Sequence, residues 1–172
     1  MTRRVPVNVS HLEMTAPGEL RPAPVVAGNH RLQLERGAAA AEAAEEMYRR
    51  VGAGWHWRDR LKWDRADWSE AVVREGVELW TLREQGNAIG YFELDLVDGV
   101  AEIRYFGLAP EGIGRGLGGW MLTRAVERGW ELGASRIVLN TCTLDGPAAL
   151  PNYLARGFRV VSVDHQEREL PE

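Results

Sequence analysis

A glycine-rich segment near the middle of the chain constrains the fold more than any other feature. Five of the eight residues from Gly112 to Gly119 are glycine, and an amphipathic helical pattern overlaps them, from Leu117 to Leu132. Glycine adopts positive φ angles without steric strain and lets the backbone approach a ligand closely. Because so many glycines lose much chain entropy on folding, a plain turn does not explain them. The segment therefore predicts a loop whose N–H groups, together with the positive end of a helix, bind an anion.

Two common phosphate-binding motifs fit this segment poorly. A P-loop needs Lys followed by Ser or Thr after its last glycine, whereas Gly119 is followed by Trp and Met. The letters from Gly114 to Gly119 do spell G-x-G-x-x-G. A dinucleotide site, however, needs the first glycine directly at a strand end and an acidic residue closing the next strand. Here the strand ends near Leu108 and the next strand passes through Asn140, so dinucleotide binding is a minor alternative.

Apolar periodicity around the segment predicts a chain of the α/β (α+β) class. Strands are predicted at 5–14, 30–36, 135–143 and 158–166, an antiparallel three-stranded meander at 77–110, and helices at 37–52, within 54–76, at 117–132 and within 144–157. Asp-Gly between two alternating runs is a strong hairpin signal inside the meander. The length of 172 residues suits one domain with a full core, residues 1–172.

The stretch "YFGLAPEGIGRGLGGWMLTRAVERGWELGASRIVLNTCTLDGPAALPNYLARGF" resembles the acyl-CoA-binding core of the GNAT superfamily of N-acetyltransferases. The likeness runs from about Glu78 to Asp164 in the order meander, glycine loop, helix, strand, helix, strand, and includes a Y-x-x-x-G-F ending. The resemblance implies a central mixed, mostly antiparallel sheet flanked by helices. It implies acetyl-CoA as cosubstrate and direct transfer of an acetyl group to a primary amine in a ternary complex. The CoA-binding core would span 78–164, and 1–77 would hold N-terminal strands and acceptor-side helices.

The same resemblance assigns residues to the cosubstrate. The residues that would hold the CoA pyrophosphate are Ile113, Gly114, Arg115, Gly116, Leu117, Gly118 and Gly119. Leu108 and Ala109 would bind pantetheine through their backbone groups, and Tyr153 would be the catalytic tyrosine near the thioester sulfur. The sequence departs from the family at Ile113, where Gln or Arg is usual, and at Asp145, where Asn is frequent. Both departures remove side-chain help but leave the backbone cradle.

Carboxylates in the predicted meander are candidates for the general base. With an Asp-Gly turn, the register places Asp95 opposite Glu102 and Glu93 opposite Arg104, all on one face. Like charges and burial raise the pKa of a carboxyl toward the range useful for a base. The resemblance also puts Glu102 at the position of the general-base glutamate of some family members. Glu102 and Glu93 are therefore candidate catalytic residues, and ordinary cross-strand ion pairs are the alternative.

Four tryptophans lie close together between residues 55 and 68. The resemblance places the acceptor pocket in this region. Trp55, His56, Trp57 and Trp63 could form an aromatic wall for an apolar or cationic acceptor. We expect at least two of these four residues to be core anchors instead. Trp55, Trp57 and Tyr105 are the predicted acceptor-pocket residues, although the hairpin register puts the Tyr105 side chain on the face opposite the carboxylates.

Composition argues against several other function classes. The net charge is −4 and no long Lys/Arg run occurs, which argues against nucleic-acid binding. No apolar run is long enough for a signal peptide or a membrane span, so a cytoplasmic protein without a membrane partner is expected. The single cysteine, Cys142, rules out a disulfide framework, and the histidines lack metal-ligand spacing, so no metal is expected.

The expected partner is a small-molecule or peptide amine acceptor. An exposed last strand could also pair across a homodimer. A protein of another class remains open as the alternative: a catalytically weak sensor or regulatory module that binds acyl-CoA with the same loop.

Overall fold

Seven strands and four α-helices form over residues 1–171, the part of the chain that the computed structural model describes. The strands are β1 Thr2–Met14, β2 His30–Glu35, β3 Val77–Glu84, β4 Asn87–Val97, β5 Val100–Leu108, β6 Arg136–Cys142 and β7 Arg159–Pro171. The helices are α1 Gly37–Gly52, α2 Arg65–Val72, α3 Leu117–Glu131 and α4 Ala149–Ala155. The α/β fold class is confirmed, and the bounds predicted for α1 are those observed.

The first strand lies inside the sheet beside the last strands of the chain. The order is β2-β3-β4-β5-β6-β1-β7, and every neighbouring pair runs antiparallel except β5 and β6. The pairing of β1 with β7 runs from Thr2 opposite Pro171 to Glu13 opposite Arg159. Both strands exceed their predicted bounds. Only Leu170 of β7 is buried, so the sequence of that strand carries no burial pattern that reveals its length.

Helices cover the two faces of the sheet and form a separate core on each. Tyr91 and Phe92 are neighbours in β4, so their side chains point to opposite faces. Phe92 packs in the core that contains Leu122 of α3. Tyr91 packs in the core that contains Met47 of α1 and Trp68 of α2. Each fully buried apolar side chain of this size contributes about 1.5–3 kcal/mol to stability.

A β-bulge in the β4–β5 hairpin changes the predicted cross-strand partners. The Asp-Gly turn forms, and Asp95 lies opposite Glu102 as expected. Beyond them the register shifts, so Glu93 lies opposite Tyr105 and not Arg104. The Glu93–Arg104 prediction is wrong because alternation alone does not reveal the extra residue of a bulge. Tyr105 consequently lies on the same face as Glu93, not on the opposite one.

Residues 15–29 connect β1 to β2 and cross α3 near its N-terminus. The N–H of Ala23 donates to Oγ1 of Thr123 at 3.0 Å. The N–H of Arg21 donates to the carbonyl oxygen of Arg156 at 2.8 Å. These contacts fasten the crossing segment to α3 and to the end of α4.

Strand β7 forms one edge of the sheet. Three of its valines, Val160, Val161 and Val163, are 41–51% exposed. The predicted pairing of this strand across a homodimer stays a prediction.

Candidate functional site

The sheet opens between β5 and β6, and a cavity of about 990 Å³ lies at the opening. The two strands pair only where Val100–Glu102 faces Arg136–Val138, and they separate beyond that point. We call this space the central cavity. Of the predicted site residues, its wall contains Trp55, Trp57, Glu102, Tyr105, Leu108, Ile113, Gly114, Gly116, Gly118, Gly119 and Tyr153. The wall does not include Glu93, Ala109, Arg115 or Leu117.

The glycine loop is bent by left-handed backbone at two positions. Gly114 has a φ of +78° and Gly116 a φ of +76°, and Gly116 is the residue before the first turn of α3. Side chains other than glycine are strained in this conformation. The first N–H groups of a helix have no partner within the helix. The loop therefore presents unpaired donors and the positive helix end to the cavity wall.

Two side chains of α4 and its end, which the sequence did not single out, lie against this loop. Both side chains approach glycines of the loop closely. If Gly118 carried a Cβ, that atom would lie 3.7 Å from Nδ2 of Asn152, and a Cβ on Gly119 would lie 2.5 Å from Nη1 of Arg156. The Nε of Arg156 is buried and has no hydrogen-bond partner among the described residues. A guanidinium with a free donor suits a phosphate oxygen. No local sequence pattern could have identified it, because its contact with the loop is made by the tertiary fold.

Arg115 and Leu117 do not present their side chains to the cavity. Arg115 pairs with Glu84 of β3, and one of its hydrogen bonds to that carboxylate measures 3.1 Å. Leu117, the first residue of α3, is fully buried in the core that this helix covers. Only the backbone groups of these two residues belong to the loop.

Hydrogen bonding along β5 decides which backbone groups face the cavity. The N–H of Ala109 donates to the Ile89 oxygen at 2.8 Å, and the Ala109 oxygen accepts from Gly112 at 2.9 Å. Ala109 therefore has no free backbone donor for pantetheine, which corrects its predicted role. Because hydrogen-bonded and non-hydrogen-bonded pairs alternate in an antiparallel ladder, Phe106 and Leu108 direct their N–H and C=O groups away from β4. No described strand pairs with them on that side, so these groups border the opening.

Tyr153 contributes an aromatic ring to the cavity wall. The ring lies 6.1 Å from that of Phe106 and 6.4 Å from that of Phe158, both edge-to-face. Burial, and to a lesser degree the charge of Asp145, raises the pKa of the Tyr153 phenol. The hydroxyl therefore stays protonated at neutral pH and can only donate a proton.

The two candidate bases have different surroundings. Glu102 lies in the cavity wall, at the last position where β5 pairs with β6, and is partly exposed. Glu93 lies outside the wall, is 1% exposed, and its Oε1 accepts from Nη1 of Arg60 at 2.6 Å. Burial raises the pKa of the Glu93 carboxyl, although Arg60 acts in the opposite direction. Of the two, Glu102 is the carboxylate that a cavity ligand can reach.

The tryptophans divide between the cavity and the core. Trp55 and Trp57 line the cavity together with Tyr105. The Trp55 ring packs against Gly146 on the opposite wall, because a Cβ added to that glycine would lie 3.2 Å from the ring. Trp63 and Trp68 pack edge-to-face in the α1–α2 core with ring centres 5.0 Å apart. Of the four candidate wall residues, Trp57 and Trp63 pack against this core.

Sequence and fold comparisons assign the chain to a known family. Residues 38–158, most of the chain, match the acetyltransferase (GNAT) family. The chain belongs to the GNAT acetyltransferase family. This confirms the resemblance inferred from the glycine loop and the Y-x-x-x-G-F ending. No curated protein matches the sequence closely enough to serve as a relative.

Solved structures of GNAT proteins share the fold at low identity. A GCN5-related N-acetyltransferase from Kribbella flavida gives a TM-score of 0.67 at 18% identity, covering 96% of this chain and 58% of that one. One from Sphaerobacter thermophilus gives 0.68 at 15% identity, covering 98% and 53%. The ribosomal-protein-S18-alanine N-acetyltransferase from Escherichia coli gives 0.60 at 16% identity, covering 74% and 76%. The chain thus spans somewhat more than half the length of the first two proteins.

Among residues 1–171, no helix combines the length and apolar character that crossing a membrane requires. Within the same residues, no group of three or more His, Cys, Asp or Glu side chains is placed to hold a metal ion.

Proposed function

We propose that this GNAT protein transfers an acetyl group from acetyl-CoA to a primary amine while both are bound. The observation that supports the proposal is the central cavity, which extends from the glycine loop along the open edge of β5 to Trp55 and Trp57. One end offers an anion cradle and the other an aromatic wall, so two different ligands can share the space. Acetyl-CoA would supply an acyl group activated as a thioester.

The residues of the cradle fit a pyrophosphate. Gly114 and Gly116 have the left-handed backbone that turns N–H groups toward a ligand, and Arg156 has a buried donor without a partner. Ile113, which is 52% exposed, gives no polar side chain at the start of the loop. The backbone N–H groups would therefore carry most of the anion contacts, since Arg156 lies against the loop but outside the wall of the central cavity.

The open edge of β5 would align the rest of the cosubstrate. Amide and carbonyl groups of Phe106 and Leu108 can pair with the amides of pantetheine, as a neighbouring strand would. A fixed N–H at this edge can also stabilise charge that develops on the acyl oxygen during transfer. Phe106 replaces Ala109 in this role because its N–H points toward the opening.

Glu102 and Tyr153 would handle the protons. An ammonium must lose a proton before its nitrogen attacks, and the Oε atoms of Glu102 are the acceptor we propose. Glu102 precedes Phe106 by four residues, roughly 13 Å along the strand, so the proton would travel through cavity water. The Tyr153 hydroxyl would donate its proton to the departing sulfur and regain one through cavity water, which would take up the second proton that the nitrogen loses as the amide forms.

Release of free thiol from acetyl-CoA tests the proposal. The purified protein is incubated with acetyl-CoA and, in turn, neutral, anionic and cationic primary amines. We expect thiol release that depends on the amine and equals the acetylated amine found by mass spectrometry. Acetyl-CoA binding without amine-dependent release would instead support the sensor alternative. Thermal stabilisation by NAD but not by CoA would overturn both.

A further inference from the structure

Asp59 holds a fixed carboxylate in the wall of the central cavity. It lies in the α1–α2 loop, residues 53–64. The Tyr48 hydroxyl donates to its Oδ1 at 2.6 Å, and the Tyr105 hydroxyl donates to its Oδ2. The Tyr48 oxygen in turn accepts from the N–H of Arg60 at 3.1 Å. Both carboxylate oxygens are therefore positioned by side chains of α1 and β5.

Both phenols are reliable donors. Burial raises the pKa of Tyr48 and of Tyr105, and the hydrogen bond to Asp59 raises each further. Neither phenol ionises near neutral pH, so both keep donating to the carboxylate.

Asp59 forms no ion pair with a described cation, although the adjacent Arg58 also lines the cavity. The other neighbouring cation, Arg60, is 2% exposed and bound to Glu93 at 2.6 Å. That pair is neutral as a unit and lies behind the wall. Across residues 1–171, no Arg, Lys or His side chain forms an ion pair with Asp59.

The two tyrosines that bind this carboxylate also contact the ring of Trp57. The Trp57 ring lies 5.5 Å from that of Tyr48 and 5.2 Å from that of Tyr105. Trp57 packs tightly against the backbone of Gly52. A Cβ added to Gly52 would lie only 2.5 Å from the Cβ of Trp57, so only glycine leaves room for this side chain. A carboxylate beside aromatic faces favours an organic cation, which gains both Coulombic and cation–π attraction.

We propose that Asp59, with Trp57, binds a second cationic group of the acceptor, so that the acceptor is a diamine or polyamine. The inference rests on the proposed function. The nitrogen that attacks must be neutral, whereas a carboxylate keeps the proton on an ammonium that it binds. Asp59 also lies at the far end of the Tyr105 side chain from the β5 backbone, and the acyl group would be held at that backbone. The cation at Asp59 is therefore a different nitrogen from the one acetylated.

The test compares linear α,ω-diamines with monoamines of the same chain length. For the native protein we expect kcat/KM for the best diamine to exceed that for its monoamine by about tenfold or more. Asp59→Asn is expected to raise KM for diamines about tenfold, with kcat changed less than about twofold, and to leave the monoamine parameters unchanged. Asp98→Asn, in the exposed β4–β5 turn, is the matched control and is expected to change neither.

Two outcomes would overturn the acceptor class while leaving the proposed function intact. One is turnover of monoamines and diamines with equal kcat/KM by the native protein. The other is an equal loss for both amines in Asp59→Asn. If no amine is turned over, thermal stabilisation by diamines in the presence of CoA gives an independent readout. A stabilisation that is larger for diamines than for monoamines and absent in Asp59→Asn supports the cation site, and its absence in the native protein refutes it.

Discussion

Nη1 of Arg60 lies 2.6 Å from Oε1 of Glu93, and both side chains are almost completely buried. The Arg60 guanidinium also lies 4.0 Å from the ring centre of Tyr105 and 4.5 Å from that of Trp63. A single ion pair thereby ties the α1–α2 loop to β4 directly behind the cavity wall. Its contribution is to hold this wall in place, since neither charge reaches the cavity.

Breaking this pair is expected to destabilise the fold strongly. Arg60→Met should lower the free energy of unfolding by about 3–5 kcal/mol, because it leaves a buried carboxylate without a partner. Arg60→Met combined with Glu93→Leu should recover most of the loss. Urea denaturation measures both. Arg4→Met, which removes an exposed ion pair with Glu169, is the control and should have no measurable effect. A double variant that is no more stable than Arg60→Met would show that the unpaired Glu93 carboxylate is not the cause of the loss.

The left-handed glycine at the start of α3 should matter for acetyl-CoA as well as for stability. Gly116→Ala introduces a Cβ at positive φ, which costs about 1 kcal/mol, and shifts the N–H groups of the cradle. We expect a tenfold or larger increase in the Kd for acetyl-CoA by calorimetry, an estimate of about 1.4 kcal/mol. Gly86→Ala has a comparable φ of +82° outside the central cavity and no neighbour within 4 Å of the new Cβ. It should lose similar stability but bind normally, and a matching loss of binding would contradict the cradle.

Removing the proposed base should affect turnover more than binding. Glu102→Gln is expected to lower kcat by about 10²-fold or more at neutral pH, in the range typical of general bases. KM for acetyl-CoA should stay within about twofold, since the change removes no contact that binds the cosubstrate in its ground state. Glu75→Gln, an exposed carboxylate outside the cavity, is the matched control. An unchanged kcat in Glu102→Gln would exclude this residue as the base.

Loss of the Tyr153 hydroxyl should slow transfer without unfolding the protein. Tyr153→Phe keeps the ring contacts with Phe106 and Phe158. We expect kcat to fall about tenfold or more through loss of proton donation to sulfur, with little change in melting temperature. Tyr91→Phe is the comparison, because the Tyr91 hydroxyl is buried, unpartnered among the described residues and outside the cavity wall. Equal kcat values in both variants and the native protein would remove Tyr153 from the mechanism.

An ion pair between β3 and α3 should make stability depend on acid pH. Burial favours a higher pKa for Glu78, but hydrogen bonds from Arg128 and Trp80 outweigh it, so the pKa lies below its ordinary value of 4.5. Stability from this carboxylate is therefore present above pH 4.5 and lost as the pH falls through the lower, folded-state pKa. Arg128→Met should be destabilised by about 1 kcal/mol at pH 7, and the difference should shrink at pH 3. The same difference at both pH values would mean that Arg128 acts through packing alone.

Local patterns were enough to predict most elements of the fold. Helix α1 is bounded by glycines at both ends, and the Asp-Gly turn fixes the register of the hairpin as far as Asp95 and Glu102. The glycine loop can be recognised in the sequence because positive φ angles favour glycine. These features depend on neighbours in sequence, which periodicity and turn chemistry describe well.

Predictions that needed long-range information were less successful. The bulge beside Glu93 and the hydrogen bonds of Ala109 are set by strand pairing, whereas alternation suggested Arg104 and the family resemblance suggested Ala109. Asp59 and Arg156 reach the cavity wall and the loop only through tertiary contacts with distant elements. Their neighbours in sequence therefore gave no signal of a functional position.

The insertion of β1 between β6 and β7 has a consequence for synthesis on the ribosome. The first strand pairs only with strands that begin at Arg136 and Arg159, so it has no partner until most of the chain has been made. At bacterial or eukaryotic elongation rates this delay is roughly 10 s or longer. During that time the apolar residues Val7, Val9 and Leu12 are exposed, and the meander and α3 are able to assemble without them. Closure of the sheet is then a late step of high contact order, which places the slowest stage of folding at the two ends of the chain.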